Sequence, residues 1–179
     1  MRLFIAITLN DSCKTLLQNA QTPFRLNRYR GSFTSYDNFH LTLVFIGECD
    51  VKTTQIIENV LTEITAQPFE LTLGELGCFT RKSEEVWWVG LKSNSRLLAL
   101  HKEISQRLKN DNIEFEDHKY IPHLTLVRNY RPAHSDQAII LPRIEPLTIE
   151  VNSVSLMKSE RLHDELKYTE IMRVELLSP

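Results

Sequence analysis

Four residues recur in this chain in the same order. His40-Leu41-Thr42-Leu43 returns, 83 residues later, as His123-Leu124-Thr125-Leu126. Each copy sits in a run of β-forming residues, Phe39 to Ile46 closed by Gly47, and Ile121 to Arg128 entered through Pro122. In a strand, residues two apart share a face and lie about 6.5 Å apart. His40 and Thr42 are therefore expected on one face, with Leu41, Leu43 and Phe45 on the buried one. His123 and Thr125 are expected to do the same, backed by Leu124, Leu126 and Val127. Two such units half a chain apart suggest an internal duplication. The chain then reads as one domain over residues 1–179, made of two pseudo-symmetric lobes whose His-Thr faces meet across a cleft.

The remaining pattern supports an α+β fold. Leu3 to Leu9 reads as a buried strand, followed by Asn10, Asp11 and Ser12 as helix caps before an apolar-spaced stretch from Cys13 to Asn19. Thr22 to Asn38, with Pro23, Gly31 and several arginines, reads as a loop. Val51 to Ala66 carries Ile56, Ile57, Val60, Leu61 and Ile64 at helical spacing and is stopped by Pro68. Phe69, Leu71 and Leu73 alternate with polar residues as in a strand, and Val86 to Leu91 is another strand. Asn94 to Asn110 forms the next long helix. After a polar loop from Asn129 to Asp136, apolar stretches follow at Ala138 to Leu141, Leu147 to Met157 and Tyr168 to Leu177. Many strands and three helices favour an α+β fold over a doubly wound parallel sheet.

Charge narrows the partners. Lys and Arg number 21 against 23 Asp and Glu, a net charge of −2. A protein that coats long nucleic acid carries a basic excess, so that class is excluded, whereas a small phosphate or one RNA end needs only a local positive cluster. Cys13, Cys49 and Cys78 are odd in number and form no C-x-x-C pair, which argues against a disulfide framework or thiolate zinc site and for a reducing compartment. The first ten residues are too short to span a membrane and precede no small-residue cleavage site. The expectation is a cytoplasmic protein with no membrane partner.

Two opposed imidazoles suit proton transfer at neutral pH, one donating to a leaving oxygen while the other takes a proton from water. Thr42 and Thr125 can bond the non-bridging oxygens of a phosphate between them, and Arg128 can add a forked cationic contact. A phosphodiester held in this way requires no metal and no other cofactor.

The segments HLTLVFIGE and YIPHLTLVR resemble the paired motifs of the 2H phosphoesterase superfamily. The opening RLFIAI, the VWWVG strand and Tyr168 resemble more narrowly the bacterial RNA 2',3'-cyclic phosphodiesterases, often labelled 2'-5' RNA ligases. The resemblance covers nearly the whole chain. It implies a bilobal fold of two antiparallel sheets with outer helices around a central cleft. It also implies metal-independent hydrolysis of 2',3'-cyclic phosphates, on RNA ends or nucleotides, to 2'-phosphates; a monomer is expected. His40 then matches the proton donor to the leaving 3' oxygen, and His123 the acceptor from water. Thr42, Thr125 and Arg128 match phosphate contacts. Thr80 to Glu85 is short and charged where relatives often carry a more apolar loop, so no substrate contact is assigned there.

Alternatives are a 2'-5' ligase-type or other small cyclic-phosphate enzyme, and a non-catalytic module that binds RNA ends. For the base, Phe4, Trp87, Trp88 and Tyr120 are candidate stacking partners that core packing would also explain. Alternation allows only one of the two tryptophans to line the cleft. His101, on an apolar helix face, reads as packed; the spacing of His118 and His123 across Pro122 favours no zinc geometry, and His134 and His163, in polar segments, read as solvated. Arg25, Arg28 and Arg30 read as a solvated basic loop.

Overall fold

A computed structural model describes residues 1–81, 84–133, 140–163 and 165–177. Its elements, in chain order, are β1 (Arg2–Thr8), α1 (Asp11–Ala20), α2 (Thr22–Leu26), β2 (Arg28–Phe33), a 3-10 turn (Tyr36–Asn38), β3 (His40–Glu48), α3 (Val51–Thr62), β4 (Phe69–Arg81), β5 (Glu84–Leu91), α4 (Ser95–Asn110), β6 (His123–Pro132), β7 (Thr148–Val151), β8 (Ser153–Leu162) and β9 (Glu165–Glu175). The strands form two antiparallel sheets, β3-β1-β8-β9 and β2-β6-β5-β4-β7. This is the α+β architecture expected from the strand-rich pattern.

The three long helices start where side-chain oxygens cap them. Asn10 accepts from the Cys13 N–H, Asp50 from Thr53 and Asn94 from Leu97, at 2.9, 2.7 and 3.0 Å. Each then buries an apolar stripe, such as Leu97, Leu100, Ile104 and Leu108 of α4. One core fills the space between helices and sheets; a smaller cluster of Phe4, Ala6 and Met157, flanked by Phe45 and Tyr168, lies apart from it. Among the described residues, no helix is long and apolar enough to cross a membrane.

Several expectations need correction. Thr22 to Asn38 is not a loop: Pro23 opens α2, Phe24 is fully buried, and β2 adds to the second sheet beside β6. Gly31 hides this strand from a propensity reading. A Cβ there would stand 3.0 Å from Val127 and 3.3 Å from Tyr130, so the strand packs closely at this point. Leu147 to Met157 is two strands, with β7 pairing β4 in one sheet and β8 pairing β1 in the other. The chain changes sheets at Asn152, so one apolar run serves both. The loop after Asn129 begins later, since Arg131 and Pro132 still belong to β6. Ala138 and Ile139 lie outside the described residues, and Ile140 and Leu141 are exposed and in no strand. Helix α3 stops at Thr62, short of Ala66.

Candidate active site

Both copies of the repeat are bulged at the same letter. Along β3, Val44 pairs with Ile5 and Thr42 with Ala6, so Leu43 is the extra residue. Along β6, Val127 pairs with Trp87 and Thr125 with Trp88, so Leu126 is extra. A bulge inserts one residue and resets the alternation beyond it. Leu43 and Val44 are accordingly both buried, as are Leu126 and Val127. Phe45, expected on the core face, instead packs with Phe4 on the side of His40. Arg128 is turned by the second bulge toward Thr125, whose Oγ1 accepts from its Nη2 at 3.2 Å.

The two imidazoles are held alike. Nδ1 of His40 lies 2.7 Å from the carbonyl of Asn38, and Nδ1 of His123 lies 2.7 Å from that of Ile121. A carbonyl only accepts, so Nδ1 carries the proton in each ring and Nε2 is left for chemistry. His40 Nε2 lies 3.0 Å from Thr42 Oγ1. Each ring also meets two aromatics. Phe4 and Tyr168 stand 4.8 and 5.0 Å from His40, and Phe79 and Trp88 stand 5.2 and 5.8 Å from His123.

A cleft of about 450 Å³ has His40, Asn38, Thr125, Arg128, Arg161 and Tyr168 among its walls. His123 and Thr42 are not part of its wall, although Thr42 bonds His40 and the charge of His123 acts on it. A larger and shallower depression, about 690 Å³ and bounded by Glu70, Arg96, Glu150 and Asn152, holds no histidine and lies on other elements. The smaller cleft therefore brings the histidine of the first motif together with the threonine of the second and Arg128.

Burial and Arg128 act on both rings. Burial lowers the His40 pKa to about 4; its bond to the Asn38 carbonyl opposes this, while Arg128 and His123 add to the lowering. His123 is lowered by burial as well, against the pull of the Ile121 carbonyl and with help from Arg128. Both shifts favour the neutral rings in the free protein at pH 7. Arg128 acts on both, so Arg128→Ala is expected to raise both imidazole pKa values and to weaken inorganic phosphate binding about tenfold. Imidazole proton NMR and phosphate titration calorimetry would check it; unchanged histidine titrations would remove Arg128 from the site.

Of the aromatic candidates, Phe4 and Trp88 face a motif histidine. Trp87 packs on Phe24 in the core, as the alternation requires, with its Nε1 bonded to Glu85 at 2.7 Å. Tyr120 lies flat on His101 at 4.0 Å and donates to the Thr42 carbonyl at 3.1 Å, so it is structural. Arg25, Arg28 and Arg30 belong to α2 and β2; Arg25 and Arg28 lie over Phe33, and Arg30 pairs with Glu84 at 3.6 Å.

Asn38 was not anticipated. Besides the carbonyl that orients His40, its Nδ2 donates to the Leu166 carbonyl at 2.6 Å and its Oδ1 accepts from the Tyr168 N–H at 3.1 Å. It thereby ties the start of β9 to His40. An asparagine two residues before the first motif was the available signal. Phe79 and Thr34 had none, since each matters only through a partner distant in sequence. Trp88 is shaped by Gly77, where a Cβ would fall 2.1 Å from the indole. Gly77→Ala is expected to cost about 1–3 kcal/mol and to displace Trp88 from His123, read by thermal unfolding and indole fluorescence. An unchanged melting temperature would refute that packing.

Two antiparallel sheets that bring paired H-x-T strands to one cleft define a 2H phosphoesterase fold. Residues 16–163 match the model of the 2'-5' RNA ligase superfamily, and the chain belongs to that family. A Thermotoga maritima protein named RNA 2',3'-cyclic phosphodiesterase is 31% identical over 163 residues, covering 89% of this chain and 87% of the relative. A Methanocaldococcus jannaschii protein of the same name is 30% identical over 129 residues, covering 72% and 71%. Among solved structures, a Thermus thermophilus protein superposes with a TM-score of 0.82 at 25% identity, covering 99% of each chain. LigT of E. coli, solved with 3'-AMP, superposes with a TM-score of 0.79 at 23% identity, covering 98% of this chain and 97% of that one.

Proposed function

We propose that this protein opens the 2',3'-cyclic phosphate of RNA ends or nucleotides to a 2'-phosphate, with His40 and His123 as the acid and base. The matched pair of imidazoles, each with Nδ1 fixed on a carbonyl, carries this reading. It leaves one Nε2 on each motif strand for proton transfer. The named activity of the relatives, 25–31% identical over most of this chain in several cases, supports it.

In this mechanism neutral His123 takes a proton from water at Nε2 as the water oxygen bonds to phosphorus. The bond from phosphorus to the 3' oxygen breaks, and that oxygen takes the Nε2 proton of protonated His40. The product is a 2'-phosphate with a free 3'-hydroxyl. Arg128 and the hydroxyls of Thr42 and Thr125 bind the non-bridging oxygens, whose negative charge rises in the transition state. An anion between the rings also favours their protonation, which burial alone resists.

Phosphorus NMR of a nucleoside 2',3'-cyclic phosphate incubated with the protein in excess EDTA tests this. A 2'-phosphate as sole product is expected. A 3'-phosphate would reverse the leaving group, and binding without turnover would leave a module that only holds RNA ends.

A further inference from the structure

Gln21 follows α1 directly and is fully buried, a rare position for an amide. All of its polar atoms are engaged. Nε2 donates to the carbonyls of Thr34 and Leu126, both at 2.8 Å, and Oε1 accepts from Arg25 Nη2 at 2.8 Å. Leu126 is the extra residue of the β6 bulge. Its carbonyl also accepts from the Thr34 N–H at 3.0 Å, while Thr34 Oγ1 donates to the Thr125 carbonyl at 2.8 Å. Three hydrogen bonds thus converge on two successive carbonyls, at the step where β6 departs from regular pairing.

That step turns Arg128, which lies between it and a second irregularity of β6 where Asn129 takes a φ of 50°. In an unbroken strand, residue 128 falls on the face of Leu124 and Leu126, both buried in the core. With the bulge, Val127 turns inward, Arg128 is exposed, and its guanidinium reaches Thr125 Oγ1 in the wall of the cleft. At the matching bulge of β3 the residue five after the histidine is Phe45, an apolar side chain packed beside Phe4. Only the β6 bulge aims a cation, and it is the one gripped by a buried amide.

We propose that Gln21 is a positioning residue for phosphate recognition: by holding the bulge at Leu126 it keeps Arg128 aimed into the cleft. This rests on the phosphate-binding role proposed above for Arg128. Gln21 is buried and is not part of the cleft wall, so it acts through Arg128 rather than on a substrate.

The test is a double-mutant cycle with Gln21→Met, which keeps the side-chain length and removes every hydrogen bond, and Arg128→Ala. Steady-state kinetics on a nucleoside 2',3'-cyclic phosphate are run below the unfolding temperature of every variant. Gln21→Met is expected to lower kcat/KM about tenfold in the parent, mainly through KM, and less than about twofold in the Arg128→Ala background. A merely destabilising change would cost the same factor in both. Equal losses, or a loss confined to kcat, overturn the proposal. Should Gln21→Met not fold, Gln21→Glu keeps the acceptor for Arg25 and loses the paired donation, with the same pattern expected. If the parent turns over no cyclic phosphate, the hydrolase reading fails on its own. The cycle is then read from inorganic phosphate dissociation constants, where absence of coupling between the two positions overturns the inference.

Discussion

Alanine at either His40 or His123 is expected to lower kcat for cyclic-phosphate opening by about a hundred- to ten-thousand-fold, the range of one general acid or base. KM should change little, because the phosphate contacts assigned to Thr42, Thr125 and Arg128 remain. The double substitution should fall within about tenfold of the worse single one, since the two rings work in one transition state and their effects do not add. Neither ring belongs to a hydrophobic core cluster, so each single variant is expected to fold. Single-turnover product analysis on the three variants measures it. A rate within threefold of the parent for either single variant would remove that histidine from the mechanism.

The second large effect is in pH. The reactive form holds one proton on the pair, so the rate should follow a bell bounded by two apparent pKa values that belong to both rings. With the His40 pKa at about 4 and His123 also lowered from its ordinary value, the singly protonated free enzyme is most abundant in a window that opens near pH 4 and closes below pH 6.5. The kcat/KM profile, which reports the free enzyme, should therefore peak on the acid side of pH 6.5 and fall on both sides. A bound phosphodiester places negative charge beside both rings and raises their pKa values, so the kcat profile should sit at higher pH. The proton also prefers His123 to the more strongly depressed His40. If His40 is the donor, the productive arrangement is the minor tautomer of the pair until substrate is bound. Profiles of kcat/KM and kcat that coincide, or a kcat/KM optimum above about pH 7, would contradict this account.

How far these features could be read from the sequence depended on whether one stretch of chain contained the whole cause. The repeated tetrapeptide announced its strands because both the leucines and the His-Thr pair obey a period of two within four residues. Helix α4 was equally open, with its cap and stripe in one window of Asn94 to Asn110. Strand β2 was not, because Arg28 to Phe33 is held by pairing with β6 about a hundred residues on, and Gly31 weakens any local β signal. The two bulges were hidden for the same reason. Leu43 and Leu126 are ordinary strand residues, and only the register with β1 and β5 makes them supernumerary. That omission misplaced Phe45. The carbonyls that orient the imidazoles are beyond any side-chain pattern, since Ile121 acts through its backbone alone.

The exchange of strands between halves of the chain carries a cost in time. Strand β1 begins at Arg2 and is sandwiched between β3 and β8, pairing Arg2 with Ser159. Strand β2, made early, belongs to the sheet whose other members come later. Neither sheet can close until β7 and β8, which begin at Thr148 and Ser153, have been synthesised, and each closure spans a long loop with its entropy to overcome. Such non-local topology folds slowly for its size, typically in milliseconds to seconds. During synthesis the apolar faces of β1 and β3 wait for a partner near the far end of the chain, and those are the surfaces most in need of a holding chaperone.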